Sequence, residues 1–252
     1  MDRLPADCIS RIMAFTSPKD ICSSAAVSSA FRSAAESNTL WKTFLPADYR
    51  EIIAQAPSSS SSSLLNSLSE KALYFHLCDH PLRIHSGNSI IALEKESGRQ
   101  YIMIAARDLH IMECRLSSWT WESVPNSRFF QVGDLYIEPW FKVKGKIEGR
   151  NLSPRTNYAA YLVFKLIVNK SCGCRRLLIR TKFEEGNNRL VQLHPAPKGN
   201  PQKRGDGWLE IEMAQIFNNR PIVFRMKKFD DRCRNCGFIL RGIQIRPMSP
   251  LE

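Results

Sequence analysis

The sequence contains no apolar run near the length of a membrane span. A spanning helix needs about 20 consecutive apolar residues, and no segment of this 252-residue chain approaches that length. The opening residues, MDRLPAD, have charges where a secretory signal would have its apolar stretch. We therefore expect a soluble, intracellular protein.

The chain also has few features of a disulfide scaffold or a catalytic centre. Its 8 cysteines are sparse and irregularly spaced, so we expect them to be reduced. No glycine-rich phosphate loop, nucleophile elbow or acid pair in a motif context is present, and the 5 histidines show no ligand spacing. The sequence predicts a protein that is not an enzyme and holds no cofactor.

Four cysteines occur in two close pairs, Cys172 with Cys174 and Cys233 with Cys236. A zinc site needs four ligands, and only the second pair has the usual two-residue spacing. The pairs also lie far apart in the chain. We favour unrelated, reduced thiols over a metal site.

Positive charge is unevenly distributed along the chain. The net charge is +12, but residues 1–60 contain six basic and six acidic residues. The whole excess of positive charge therefore lies after residue 60. A neutral head and a basic body indicate two functional units. The excess favours either solubility or an anionic partner such as nucleic acid.

A serine run, APSSSSSSLL at 56–65, separates segments of different periodicity. Such a run buries little apolar surface and predicts a flexible linker. Before it, Ile9 and Ile12 follow helical spacing, and Ser17 with Pro18 is typical of a helix start. After it, Ser69 is the expected N-cap of one more helix.

Beyond about residue 85, apolar residues recur at every second position, as they do in a half-buried strand. Segments such as QYIMIAAR, YAAYLVFKLIV and PIVFRMKKF are strand-like and separated by Gly, Pro and Asn. Many short strands without long intervening helices favour an antiparallel sandwich or barrel. The fold class is therefore α+β.

The first forty residues resemble the F-box, a small helical module that docks on a Skp-family adaptor in SCF ubiquitin ligases. The resemblance is carried by Leu4-Pro5, Ile9, Ile12, Asp20, Val27-Ser28, Phe31-Arg32 and Leu40-Trp41. It implies a substrate receptor that works with the adaptor and a cullin.

An apolar surplus on a small helical module is typical of a partner surface. The expected adaptor-binding residues are Leu4, Pro5, Ile9, Ile12 and Val27. Phe31, Leu40 and Trp41 could instead form the core of the module. The alternative is a helical cap on the sandwich with no adaptor role.

From about residue 72 the chain resembles plant F-box proteins whose second domain is of the phloem protein 2, or Nictaba-like lectin, type. ALYFHLCD, AARDLHI, WTWESVP, GKIEGRNLSPRTNYAAYLVFKL, GDGWLEIEMAQIFNN and GIQIRP carry the resemblance. It implies a jelly-roll β-sandwich and binding of glycans that contain N-acetylglucosamine, in the nucleus and cytoplasm.

Two tryptophans, Trp119 and Trp121, are spaced to share one face of a strand. By resemblance, Trp119 matches a tryptophan of the lectin family's sugar site. We interpret Trp121 as packing, because large aromatic side chains mostly serve cores. The candidate carbohydrate-binding residues are Trp119, Glu113 and Glu122.

The chain departs from the rest of that sugar site. The family's other tryptophan aligns with Glu113, and its two glutamates align near Pro221 and Lys228. A proline side chain accepts no hydrogen bond, and a lysine reverses the charge. We expect altered glycan preference or lost binding, with a protein target as the alternative.

A basic loop, KGNPQKRGDG, precedes the strand GWLEIEM. We interpret the loop as solvated, since it lacks the interleaved aromatics of a nucleic-acid site, and a weak nuclear-import signal is an alternative. Trp208 stands on the polar side of its strand. We expect a covering segment to bury it.

These observations predict an F-box at 1–47, a serine-rich linker and helix at 48–84, and a lectin-like domain at 85–250. The favoured function is substrate recognition for an SCF ligase. A free intracellular lectin with a vestigial head is the second hypothesis. A protein associated with nucleic acid is the third and least favoured, and no membrane partner is expected.

Overall fold

The chain folds as two compact units in the computed structural model. The model describes residues 4–55, 59–84, 88–113, 119–122, 132–136, 141–168, 178–184, 189–193, 201–228 and 236–248. Met1–Ser86 and Ile90–Tyr101 form the first unit, and Gly87–Ser89 with Ile102–Glu252 forms the second. Within those residues, no helix has the length and apolar character to cross a bilayer.

The first unit is built from short helices followed by two strands. They are α1 (Ala6–Met13), α2 (Pro18–Ser24), α3 (Ser29–Ala35), α4 (Asn38–Lys42), α5 (Tyr49–Ala54), α6 (Ser59–Asn66), α7 (Glu70–Asp79), β1 (Leu82–Ile84) and β2 (Ser89–Leu93).

Helix starts lie where the sequence predicts them. The Ser17 hydroxyl accepts a hydrogen bond from the Asp20 backbone N–H (3.1 Å), and the Asp20 carboxylate accepts one from the Ser17 backbone. This reciprocal capping box satisfies two backbone donors that have no partner within the helix. The Ser69 hydroxyl likewise accepts from the Ala72 backbone N–H (3.2 Å) at the start of α7.

Trp41 lies at the centre of the first unit's core. It is fully buried, and its indole N–H donates to the Ala35 carbonyl at 2.6 Å. Its ring packs against Tyr74 and Phe75 of α7, with centroids 5.0 and 5.2 Å apart. Leu40 is also buried, which confirms the interpretation of Leu40 and Trp41 as module core.

The segment predicted as a flexible linker is partly helical, which corrects the sequence prediction. The serine run contributes to α6, and Leu65 on that helix is only 5% exposed. Tyr49 and Ile53 of α5 are buried in the same core. Burial of these apolar residues stabilises helices that are too short to persist alone.

The second unit is built almost entirely from antiparallel strands. They are β3 (Gln100–Ala105), which begins in the first unit, β4 (His110–Glu113), β5 (Trp119–Glu122), β6 (Val132–Tyr136), β7 (Phe141–Ile147), β8 (Asn157–Val168), β9 (Leu178–Phe183), β10 (Arg189–Gln192), β11 (Gln202–Lys203), β12 (Leu209–Phe217), β13 (Ile222–Lys228) and β14 (Cys236–Pro247).

The strands form two sheets. The larger sheet of the second unit has the order β3-β14-β8-β12-β11, with β6 beside the first half of β14 and β5 beyond β6. The smaller sheet has the order β10-β9-β13-β7-β4. The predicted α+β class and antiparallel two-sheet architecture are confirmed.

The sandwich core lies between the two sheets. Alternate residues of each strand point inward, as in β9, where Ile179, Thr181 and Phe183 are buried between exposed neighbours. The Thr181 hydroxyl donates to the Met213 carbonyl of β12 at 3.2 Å, which joins the sheets directly. The core is dominated by Ile104, Val143, Leu162, Phe164, Ile179, Phe183, Phe224, Met226, Ile243 and Ile245.

Gly242 interrupts the regular register of β14. The pairing of β14 with β8 shifts between Leu240 and Gly242, and Gly242 has a φ of 155°. A Cβ at this position would lie 1.9 Å from the Ile104 carbonyl oxygen of β3. Only glycine lets the two backbones approach this closely.

We expect Gly242→Ala to lower the free energy of unfolding by about 3 kcal/mol, near the upper end for overpacking. The clash is with backbone, which cannot rotate away. Urea denaturation would measure the loss. Gly205→Ala is the matched control, because a Cβ at Gly205 meets nothing within 4 Å. Equal stability of the two variants would contradict the steric argument.

Candidate functional site

The first unit leaves several apolar side chains exposed near its amino-terminal helices. Ile12 on α1 is 57% exposed, and Phe15, just after the helix, is 92% exposed. The Phe15 backbone N–H donates to the Ile12 carbonyl (3.1 Å), so the helical turn continues and the two side chains are neighbours at i and i+3. Leu4 and Val27 are also largely exposed. We call Leu4, Pro5, Ile12, Phe15 and Val27 the apolar face.

Ile9 does not belong to this face, which corrects the prediction from the sequence. It is 6% exposed and lies in the core with Met13, four residues along the same side of α1. Next to it, the Ser10 hydroxyl donates to the Ala34 carbonyl of α3 at 3.2 Å. The inward side of α1 thus packs against α3, and Ile12 remains on the outward side.

Phe15 is the residue of the apolar face that the sequence analysis missed. It lies two residues after the last residue of α1 and two before the Ser17 cap, so a pattern counted only to the end of the helix omits it. The feature of the sequence that could have identified Phe15 is its spacing of three residues from Ile12, which places both on one side of a helical turn. Together with Ile12, Phe15 forms an exposed apolar pair, and exposed apolar patches mark sites of interaction with partners.

The predicted carbohydrate-binding residues lie on strands of two different sheets. Trp119 and Glu122 are the end residues of β5 and pair with Leu135 and Val132 of β6 in the larger sheet. Glu113 ends β4 and pairs with Phe141 of β7 in the smaller sheet. Only the backbones of Glu113, Trp119 and Glu122 are described, so the structure places their positions and leaves their side-chain roles as predictions.

Trp121 packs as predicted. Its half-buried side chain lies against the sandwich core, and the Arg107 guanidinium carbon stands 5.0 Å from its ring centroid. A cation over the face of an indole is an attractive arrangement. Two of the three departures from the family's sugar site lie at the ends of β13, where exposed Pro221 precedes the strand and Lys228 is its last residue.

Trp208 is covered, as the sequence analysis expected. It is 1% exposed, with the Lys165 ammonium 4.7 Å and the Arg241 guanidinium carbon 5.1 Å from its ring centroid. The Arg204 backbone N–H donates to the Trp208 carbonyl at 2.8 Å. This bond folds part of the predicted solvated loop back onto the strand.

Arg241 is a fully buried cation with a partner carboxylate. Its guanidinium donates to Asp206 at 2.5 Å, and it is only 1% exposed. Burial acts to raise the pKa of Asp206, but the hydrogen bond and charge of Arg241, with a backbone N–H from Trp208, hold that pKa below its usual range. The pair therefore stays ionised at neutral pH.

Glu210 forms a second buried group of charges beside the first. Arg246 binds it through two hydrogen bonds of 2.7 and 3.1 Å, and Arg204 donates to it at 2.5 Å. Arg204 also donates to the Gln244 side chain at 2.6 Å. Because the carboxylates here already have protein partners, we assign this cluster to stability and not to ligand binding.

We expect Asp206→Asn to lower the free energy of unfolding by about 3 kcal/mol at pH 7, because buried Arg241 loses its counter-charge. The native pKa of Asp206 lies below the unfolded value of about 3.9, so its stabilisation is present above that pH and lost as the pH falls through the native pKa. The difference in the free energy of unfolding between the variant and the parent should therefore become smaller as the pH falls.

Urea denaturation between pH 7 and pH 3 would measure that gap. Glu184→Gln is the control, since Glu184 is an exposed carboxylate of the same unit. We expect it to change stability little at either pH. A gap for Asp206→Asn that stayed constant across the range would contradict the assigned ion pair.

Comparison with known protein families matches both units of the chain. A family model described as F-box-like matches residues 1–46, and one described as Phloem protein 2 matches residues 99–247. The chain is therefore a two-module protein of the class that joins an F-box to a lectin-like domain.

Several relatives from Arabidopsis thaliana match over nearly the whole chain. The F-box protein PP2-B10 is 37% identical over 99% of this chain and 95% of its own length. The putative F-box protein PP2-B12 is 39% identical over 98% of both, and the F-box protein SKIP3 is 34% identical over 100% of this chain and 90% of its own length. The chain belongs to the family of plant F-box proteins that carry a phloem protein 2 domain.

Solved structures show a more distant likeness. The carbohydrate-binding module TmCBM61, in complex with β-1,4-galactotriose, matches with 11% identity and a TM-score of 0.35, over 56% of this chain and 88% of the module. A likeness at this level carries no inference about what the present chain binds.

Proposed function

We propose that this protein is a substrate receptor of an SCF ubiquitin ligase. The first unit docks on a Skp-family adaptor, which joins it to a cullin, and the second unit holds the target. The observation that carries the proposal is the apolar face on an F-box-like unit, with Ile12 and Phe15 exposed. The similarity to the F-box protein SKIP3 supports it.

The apolar face has the physical character of a binding surface. Water contacts the apolar side chains of Leu4, Ile12, Phe15 and Val27. Burial of this surface in a groove of a partner would stabilise the complex by about 25 cal/mol per Å². Aromatic side chains supply much of the binding energy at such interfaces. Phe15 is the largest exposed side chain of the face, so we propose it as the principal anchor.

The mechanism is proximity and needs no reactive group in this chain. A target held by the second unit is brought near the ligase's catalytic partners, which raises its effective concentration. Ubiquitin transfer is performed by those partner proteins. We propose the cytoplasm and nucleus as the location, as the resemblance to nucleocytoplasmic lectins implies.

We expect Phe15→Ala with Ile12→Ser to weaken adaptor binding at least about tenfold, since truncating interface anchors costs 2 kcal/mol or more. Isothermal titration of the full chain with a purified Skp-family adaptor would measure this. Both side chains are exposed, so thermal stability should be unchanged.

Leu64→Ala with Leu68→Ser is the matched control, because both leucines are exposed on the first unit outside the apolar face. We expect the control to bind the adaptor like the parent. Absence of adaptor binding by the parent chain would remove the ligase role. The free lectin would then be the better hypothesis.

We further propose that the second unit binds its target through a glycan or through protein surface, with Trp119 as the candidate sugar platform. A tryptophan offers an apolar face to the C–H side of a sugar ring, and carboxylates such as Glu113 and Glu122 accept hydrogen bonds from hydroxyls. The matched phloem protein 2 domain supports this assignment.

A glycan array with the full chain tests it. We expect glycan signals to fall at least about tenfold in Trp119→Ala, as for loss of an aromatic hot spot. Phe217→Ala is the control, because Phe217 is another exposed aromatic of the second unit. An array without signal from the parent chain would favour a protein target recognised directly.

A further inference from the structure

The first unit contains a pocket of about 400 Å³ where α5, α6 and α7 meet. Tyr49 on α5, Leu65 on α6 and Leu73 on α7 line it, and all three side chains are buried. These residues form the apolar floor of the pocket. Small-molecule sites in proteins have volumes of about 300–1,000 Å³ and mostly apolar walls. The pocket therefore has the size and the floor of such a site.

Three polar side chains also line this pocket, namely Arg50, Asn66 and Glu70. Arg50 and Asn66 are exposed and Glu70 is half-buried, so these groups stand nearer to solvent than the floor does. We call them the polar rim. A few polar groups that converge over an apolar floor are the usual means by which a pocket orients its ligand.

Arg50 is held at the rim by its neighbour Tyr49. Its Nε–H donates to the Tyr49 hydroxyl at 3.2 Å, and its guanidinium carbon lies 5.7 Å from the Tyr49 ring centroid. The Tyr49 hydrogen bond is the main cause of a raised pKa for Arg50, and the negative charge of Glu70 also raises that pKa. Arg50 and Glu70 therefore face the same space. The terminal amino groups of Arg50 have no acceptor among the described residues.

The other two groups of the rim also lack partners within the described part of the chain. Neither the Glu70 carboxylate nor the Asn66 side-chain amide forms a hydrogen bond there, and Glu70 does not pair directly with Arg50. The cation next to Glu70 in the chain, Lys71, pairs with Glu36 instead. The pocket thus presents one free cation and one free anion above an apolar floor.

We propose that this pocket binds a small zwitterionic ligand with an apolar body, of the size of an apolar dipeptide. The apolar body packs on the floor, and the carboxylate of the ligand accepts hydrogen bonds from the terminal amino groups of Arg50. The ammonium group of the ligand donates to Glu70. The proposal is independent of the ligase and glycan roles, because no residue of the floor or the rim belongs to the apolar face or to the second unit.

Other amphipathic ligands satisfy fewer of the same groups. An anionic amphiphile pairs with Arg50 but places its charge beside Glu70, and a cationic amphiphile has the opposite fault. A neutral apolar molecule pairs with neither charge. Only a zwitterion pairs with both, and charge-assisted hydrogen bonds are the strong ones.

The volume of the pocket limits the length of a peptide ligand. Two extended residues span at most about 7 Å, so both charged ends of a dipeptide stay near one pocket. A longer peptide carries at least one end away from the rim. We therefore assign the pocket to a ligand of dipeptide size and not to a segment of a partner protein.

Isothermal titration of the full chain with L-leucyl-L-phenylalanine tests the proposal. Near pH 7 both ends of this dipeptide are mainly charged, since an α-amino group has a pKa of about 7.8 and an α-carboxyl group one of about 3.5. We expect saturable binding with a Kd below about 1 mM. The N-acetylated and the C-amidated forms each lose one charge and should bind at least about tenfold more weakly.

Two variants connect each charge of the ligand to one residue. Arg50→Gln should weaken binding of the dipeptide at least about tenfold, and the amidated form should then bind within about twofold of the free dipeptide. Glu70→Gln should likewise remove the difference between the dipeptide and its N-acetylated form. The capped ligands test the same pairing without any change in the protein.

Arg11→Gln is the matched control, because Arg11 is another exposed arginine of the first unit and does not line the pocket. We expect its affinity for the dipeptide to stay within about twofold of the parent. Thermal midpoints of all three variants should remain close to that of the parent, since surface substitutions usually change stability little. That measurement separates lost binding from lost folding.

Three results would overturn the proposal. The first is absence of saturable binding of the dipeptide up to about 10 mM, far above the expected Kd. The second is equal affinity of the free and the capped dipeptides for the parent chain, or equal weakening in Arg50→Gln and Arg11→Gln. The third is tighter binding of dodecanoate than of the dipeptide, which would assign the pocket to an anionic amphiphile.

Discussion

The pairing of β8 with β14 is the constraint on which the second unit depends. The two strands pair from Val168 and Cys236 to Tyr158 and Pro247, through a register shift at Gly242. Their inward side chains, including Leu162, Phe164, Ile243 and Ile245, form much of the core. On the other side of the same strands stand Lys165, Arg241 and Arg246. One strand pair therefore organises both the apolar core and the buried ionic cluster.

The outward cations of the two sheets have different neighbours. On the larger sheet, Arg241 is matched by Asp206 and Arg246 by Glu210, and in each pair one partner, Arg241 or Glu210, is buried. Such charges are costly to bury and are tolerated only with partners. On the smaller sheet, Lys144, Arg225 and Lys182 stand side by side. Arginine in the linear sequence thus has two physical roles, which depend on what the fold places opposite it.

The helices of the first unit have about five to ten residues, and helices this short need tertiary packing to be stable. Trp41 and the aromatic residues of α7 give these helices a common core. Ile9 and Met13 on α1 join that core, while Ile12 remains outside. The core thus fixes which side of α1 is left for a partner. The serine-rich segment contributes to the same unit through Leu65.

Local chemistry in the sequence determined much of this protein. The helix starts at Ser17 and Ser69, the change of period from helix to strand, and the F-box and lectin-like resemblances all follow from residues close in the chain. Hydrogen bonds at caps and the alternation of strands act over a few residues, so a linear reading detects them.

Tertiary structure decided the rest, because those features depend on residues distant in the chain. The burial of Ile9 depends on α3, and the helical state of the serine run depends on the core that receives Leu65. The partner of Arg241 is 35 residues away. Lys144, Arg225 and Lys182 lie on three strands that are distant in the chain, and only strand register brings their charges together.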